Sequence, residues 1–210
     1  MLKKILEELR DHAPFTIMGA ITGIAVMVVF RNLPSHTSFK IFYILHPTHV
    51  FFSALVTASM YSLYKCGCLK KRCNIWMLLA IGYFGSIGIA TLSDSIIPFL
   101  GEALLDMPHR NAHIGFIEKW WLVHPLAILG IAIAYFKPST KIPHSGHVLI
   151  STWASLFHII MARGQNLSPA SYLVIFVFLF IAVWIPCCVS DIVFPLLFVK
   201  EKEFHNHPQH

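Results

Sequence analysis

Residues 46–53 read HPTHVFFS and residues 144–151 read HSGHVLIS. The shared pattern is His-x-x-His-Val-x-x-Ser, repeated at an offset of 98 residues. A second pattern follows each copy: SDSIIP at 93–98 and SDIVFP at 190–195, which is Ser-Asp-x-x-x-Pro at an offset of 97. Shared Ile and Val mean little between apolar segments. Shared His, Ser, Asp and Pro in the same order are hard to obtain by accident. The gap from the second His to the Asp is also nearly equal, 45 residues from His49 to Asp94 and 44 from His147 to Asp191.

The motifs sit in apolar sequence. Candidate spans lie near 14–30, 41–64, 75–93, 120–136, 147–163 and 170–199, and about 20 apolar residues suffice to cross a bilayer as a helix. Only 12% of the 210 residues are charged and 56% are hydrophobic, where a soluble domain has roughly 25% charged residues. Each copy therefore holds three spans. An odd number turns the second copy upside down in the bilayer. The expected fold is an all-α integral membrane protein of about six transmembrane helices, arranged as two inverted three-helix repeats. Residues 1–13 read as an amphipathic segment lying on the membrane rather than a cleaved leader, because MLKKILEELRDH carries both charge signs. Repeat one covers 14–105, an outer loop 106–119, repeat two 120–202 and a His-rich cytosolic tail 203–210.

Charge sets the orientation. Eleven Lys and Arg fall in the segments that are inside if the N-terminus is inside, against five outside. Positive residues favour the cytoplasmic side, so both termini are expected in the cytoplasm and the chain in the plasma (inner) membrane, crossing it several times. The net charge of +6 is spread over these short clusters. It reads as topology signal and excludes a nucleic-acid surface.

Several side chains are chemically out of place in lipid. His46 and His49 are three residues apart and share a helical face. His144 and His147 repeat that spacing. Asp94 and Asp191 are each costly in a membrane, about 2.5–3.5 kcal/mol at its centre. An interfacial helix cap explains a lone Asp or His equally well. Two repeated pairs, each matched with an Asp, point instead to ligands for a divalent transition metal such as Zn, Fe, Mn or Co. His124 and His158 lie in the same outer half and join this set.

Accessory donors are His109, His113 and Glu118 in the outer loop, and Cys187 and Cys188 ahead of Asp191. Cys66, Cys68 and Cys73 share a basic loop that favours thiolate, though palmitoylation or no role fits them as well. The odd number of cysteines, five, argues against a disulfide framework. The stretch 94–105 is amphipathic and is compatible with a surface or a re-entrant helix.

No Walker motif, Gly-x-Ser-x-Gly or haem attachment motif occurs. The architecture resembles the small secondary transporters built from two inverted three-helix repeats, and that resemblance names no substrate. The expected function is secondary transport of a divalent transition metal, export rather than import, with His and Asp as ligands and possible proton coupling. One alternative is a membrane-embedded metal enzyme acting on lipid. Another is a b-type haem electron carrier with His49, His124 or His158 as axial ligands. Expected partners are membrane lipid, the metal ion and a second copy of the chain.

Overall fold

The computed structural model describes residues 2–30, 32–66, 74–139, 141–163, 167–188 and 193–198. Among these the protein is all α. Helix α1 is Leu2–Val29, α2 is Ser35–Tyr61, α3 is Ile75–Thr91 and α4 is Ile97–Leu104. The short α5, Gly115–Glu118, precedes α6, Trp120–Phe136. Then come α7, Lys141–Ala162, α8, Pro169–Cys188, and the single turn α9, Phe194–Leu196. Helix α1 runs through position 13 without a break and carries Pro14 inside it.

Among the described residues, three helices are long and apolar enough to cross a membrane: Ser35–Lys65, Ile75–Leu104 and Pro169–Cys187. Three shorter apolar helices, Thr16–Val29, Trp120–Phe136 and Gly146–Ala162, occupy the remaining expected spans. The distribution of side chains fits a lipid solvent. Phe84, Trp120, Phe136 and Leu173 are exposed, whereas His46, His49, Ser53, Asp94, Glu102, Ser151 and Ser155 are wholly buried. A soluble monomer seldom shows so much apolar surface, and polar groups within lipid must be satisfied inside the protein.

Helix α2 is the hub, packed against α3, α6 and α7. Close approach is paid for in small residues. An added Cβ at Gly130 of α6 would lie 2.4 Å from the Phe51 carbonyl of α2, and one at Gly82 of α3 would lie 2.7 Å from Ile131 of α6. Gly19 of α1 likewise meets Thr152 of α7.

The pattern of neighbours has a regularity. Helix α1 packs on α7 and α8, and α6 packs on α2 and α3; α4 packs on α7 and α8, and α9 packs on α2 and α3. Exchanging α1 with α6, α2 with α7, α3 with α8 and α4 with α9 leaves these pairings unchanged, and α2 and α7 pack on each other.

Helices α3 and α4 form one long element joined by a π-helical turn at Leu92–Ile96. The stretch from 94 to 104 therefore continues the third span. The chain then turns at Asp106, whose φ of 49° lies in the left-handed region that Asp tolerates. It folds back over the bundle, and the His109 amide donates to the Ala162 carbonyl at 3.1 Å.

Candidate metal centre

Two features of the local sequence build the centre. The three-residue spacing places His46 and His49 on one face of α2, with Pro47 between them. The π turn widens the third span where Ser93, Asp94 and Ser95 follow one another, and all three are buried. Such π turns inside α-helices recur at functional sites.

Asp94 accepts four hydrogen bonds. Its Oδ2 takes one from His46 Nδ1 at 2.9 Å and one from His49 Nδ1 at 2.8 Å. Its Oδ1 takes one from Ser93 Oγ at 2.7 Å and one from Ser151 Oγ at 2.9 Å. A carboxylate with this pattern is an acceptor only, which assigns the proton of each imidazole to Nδ1. The Nε2 atoms are left as lone-pair donors to an ion. Both are buried and neither has a hydrogen-bond partner.

The two Nε2 atoms face different surroundings. The Nε2 edge of His46 lies against Gly115, where an added Cβ would be 2.4 Å away. Phe42 stacks on the His46 ring at 5.4 Å. The His49 ring stacks on His147 of α7, with centroids 5.3 Å apart. Cys187 of α8 completes the group: His49, His147 and Cys187 are all buried, and one ligand atom from each lies within 4.8 Å of the others. Zn–N and Zn–S bonds of about 2.0 and 2.3 Å bring tetrahedral ligand atoms somewhat closer than this. A small rotation of the side chains would close the group on an ion. An imidazole that holds a metal commonly donates its other N–H to a carboxylate, which fixes the ring and raises its basicity. The Asp94–His49 bond has that form.

A second buried pair lies nearer the loop between α4 and α6. His158 Nδ1 is 2.6 Å from Glu102 Oε1, and both side chains are essentially inaccessible. His158 Nε2 accepts from the His113 amide at 3.3 Å, and Ser95 Oγ donates to the His113 carbonyl at 2.7 Å. His113 Nδ1 lies 3.3 Å from Glu118 Oε1, and the Tyr43 hydroxyl donates to Glu118 Oε2. This network ties the outer loop to α2, α4 and α7.

The structure thus brings His46, His49, Asp94, His147 and Cys187 together, and gathers His158, His113 and Glu118 a short distance away. His124 stands apart from both groups, with its Nδ1 2.8 Å from the Tyr83 hydroxyl. His109 is exposed. The side chains of His144 and Cys188, residue Asp191 and the tail from 203 lie outside what the structure describes.

Sequence reasoning passed over Ser151 and Ser155. Ser151 is the last letter of the repeated motif and reaches the other copy's Asp; Ser155 Oγ donates to the Ser93 carbonyl at 3.0 Å. It did not single out Glu102 as a ligand, and the continuing helix buries that residue eight positions after Asp94. No family model, curated protein or solved structure matches this chain.

Proposed function

We propose that the protein is a secondary transporter of a divalent transition-metal cation, built as two inverted three-helix repeats related by a pseudo-twofold axis in the membrane plane. The observation that carries this reading is the meeting of His49 and His147, each the second His of its motif, where α2 and α7 pack together. Equivalent residues of two related halves meet only on the axis that relates them. The invariance of the helix neighbours when the halves are exchanged supports the same axis. Substrate sites of inverted-repeat transporters lie at the repeat interface.

Asp94 serves as the group that orients His49 and His46 rather than as a direct ligand, because its oxygens already hold four hydrogen bonds. Ligands must shed protons to bind an ion, so proton exchange can drive the cycle. The cytosolic cysteines and the His-rich tail expected from the sequence favour export, since they would deliver metal to the site from inside.

Flux into liposomes over a panel of divalent metals tests the proposal. The Asp94→Asn, Asp191→Asn double variant is expected to lose transport of one ion that the wild type carries. Equal behaviour of the two for every ion would overturn it.

One observation favours a second reading, a membrane-embedded metal enzyme acting on lipid. Three protein ligands with an open fourth position are the mark of catalytic zinc, and the His49–His147–Cys187 group has three. One tightly held ion per chain that does not exchange would select the enzyme.

A further inference from the structure

We infer that the ion bound by His49, His147 and Cys187 is thiophilic, Zn²⁺ in preference to Mn²⁺, and that the chain holds one such ion rather than two. This rests on the metal-binding reading above and names its substrate class.

The donor set decides the ion. The group contains two imidazoles and one thiol, and among the described residues no carboxylate belongs to it. Hard ions prefer oxygen donors, whereas a site of sulfur and imidazole suits zinc and disfavours manganese. Among the described residues the carboxylate that touches the group is Asp94, and both its oxygens are committed to His46, His49, Ser93 and Ser151. To serve as a hard ligand it would have to abandon hydrogen bonds in a buried setting, which leaves buried donors unpaired. His49 Nε2 is the one ring nitrogen of that residue left open, it is buried, and it has no hydrogen-bond partner.

The stoichiometry follows from a break in the repeat. At the offset of 97 that relates the Ser-Asp motifs, Cys187 corresponds to Ala90. Ala90 is fully buried beside Val50, as Cys187 is beside Val148, the equivalent valine. Among the described residues, only the second half supplies a sulfur to this group. The two central imidazoles are shared, so the donors suffice for one ion.

The test is a Co²⁺ titration of the purified full-length protein in lipid nanodiscs, followed by competition. We expect one Co²⁺ per chain with a near-ultraviolet thiolate-to-metal band. Zn²⁺ should displace it, and an equal concentration of Mn²⁺ should not. A chain with Cys66, Cys68, Cys73 and Cys188 all replaced by serine should keep the band. Cys187→Ser should lose it and weaken Zn²⁺ binding at least as much as the loss of a supporting carboxylate does, about 10–100-fold.

A band that follows any other cysteine, wild-type binding without a thiolate band, two ions per chain or effective competition by Mn²⁺ would each overturn the inference. These failures are separable from failure of transport. Binding with the expected properties but no flux into liposomes removes transport and leaves the site. Mn²⁺ flux that survives Cys187→Ser removes the thiophilic site and leaves transport.

Discussion

His49 and His147 lie nearly parallel, 25° from coplanar, with their ring centroids 5.3 Å apart. They stand 98 residues apart in the chain, each as the second His of a repeated motif. On the proposed reading the contact makes them one functional unit. Residues that act as a unit are strongly non-additive when replaced singly and together. His49→Gln and His147→Gln are each expected to lower metal flux by about tenfold or more, on the scale of losing one ligand contact. The double variant should transport no worse than the poorer single one. Initial rates in matched liposomes measure this.

Asp94 separates orientation from packing. Asp94→Asn keeps the volume and one good acceptor, so the chain should fold and lose about 10–100-fold in metal affinity. Asp94→Ala strands two imidazole N–H groups in the interior and removes an acceptor from two hydroxyls. Each buried donor left unpaired costs about 1–3 kcal/mol. Thermal unfolding in detergent should place Ala far below Asn.

Gly115 bears on His46 by shape alone. A Cβ there would sit 2.3 Å from His46 Cδ2. Gly115→Ala is expected to cost about 1–3 kcal/mol through overpacking, and the same change should cost much less in a His46→Ala background. Gly88 is the control: a Cβ there meets nothing within 4 Å. Gly88→Ala should change stability by no more than about 0.5 kcal/mol.

The Glu102–His158 pair makes a separate prediction. His158→Phe leaves Glu102 buried without its partner, and such losses run to about 3–5 kcal/mol. Glu102→Gln retains an acceptor for His158 and should cost much less. Because His158 also receives the His113 amide, the Phe variant should speed proteolysis of the outer loop, while Gln should leave it slow.

The proposed axis can be tested by moving the sulfur. In a Cys187→Ser chain, Ala90→Cys would restore a thiol at the equivalent place in the first half. We expect recovery of Zn²⁺ affinity to within about tenfold of wild type, given the about 10–100-fold loss assigned to Cys187→Ser. No recovery would count against the two-fold relation.

What was legible in the sequence was what repeats. The His-x-x-His and Ser-Asp motifs are local patterns, and an apolar setting makes their polar letters conspicuous. They indicated a helical membrane protein and picked out His46, His49, Asp94 and His147. Partners across the bundle were not legible. Ser151 finds Asp94 because α7 crosses α2 and the π turn, which no spacing within one copy reveals. Cys187 lies by His49 and His147, and only the packing of α8 against α2 and α7 says what faces it. The stretch holding Glu102 read as a separate surface or re-entrant helix because Pro98 suggested a break, whereas proline is tolerated in the first turn of a helix that resumes after a π turn.

The π turn at Leu92–Ile96 also sets the phase between two acids on one long helix. Asp94 serves imidazoles on α2, while Glu102, two turns later, serves one on α7. A rigid α-helical rod would lock the bearing of one to that of the other. The extra residue in the wide turn uncouples them, so each acid is aimed independently. Removing a single residue there would turn Glu102 by roughly 100° relative to α3 and leave no rotation of the rod that satisfies both helices at once.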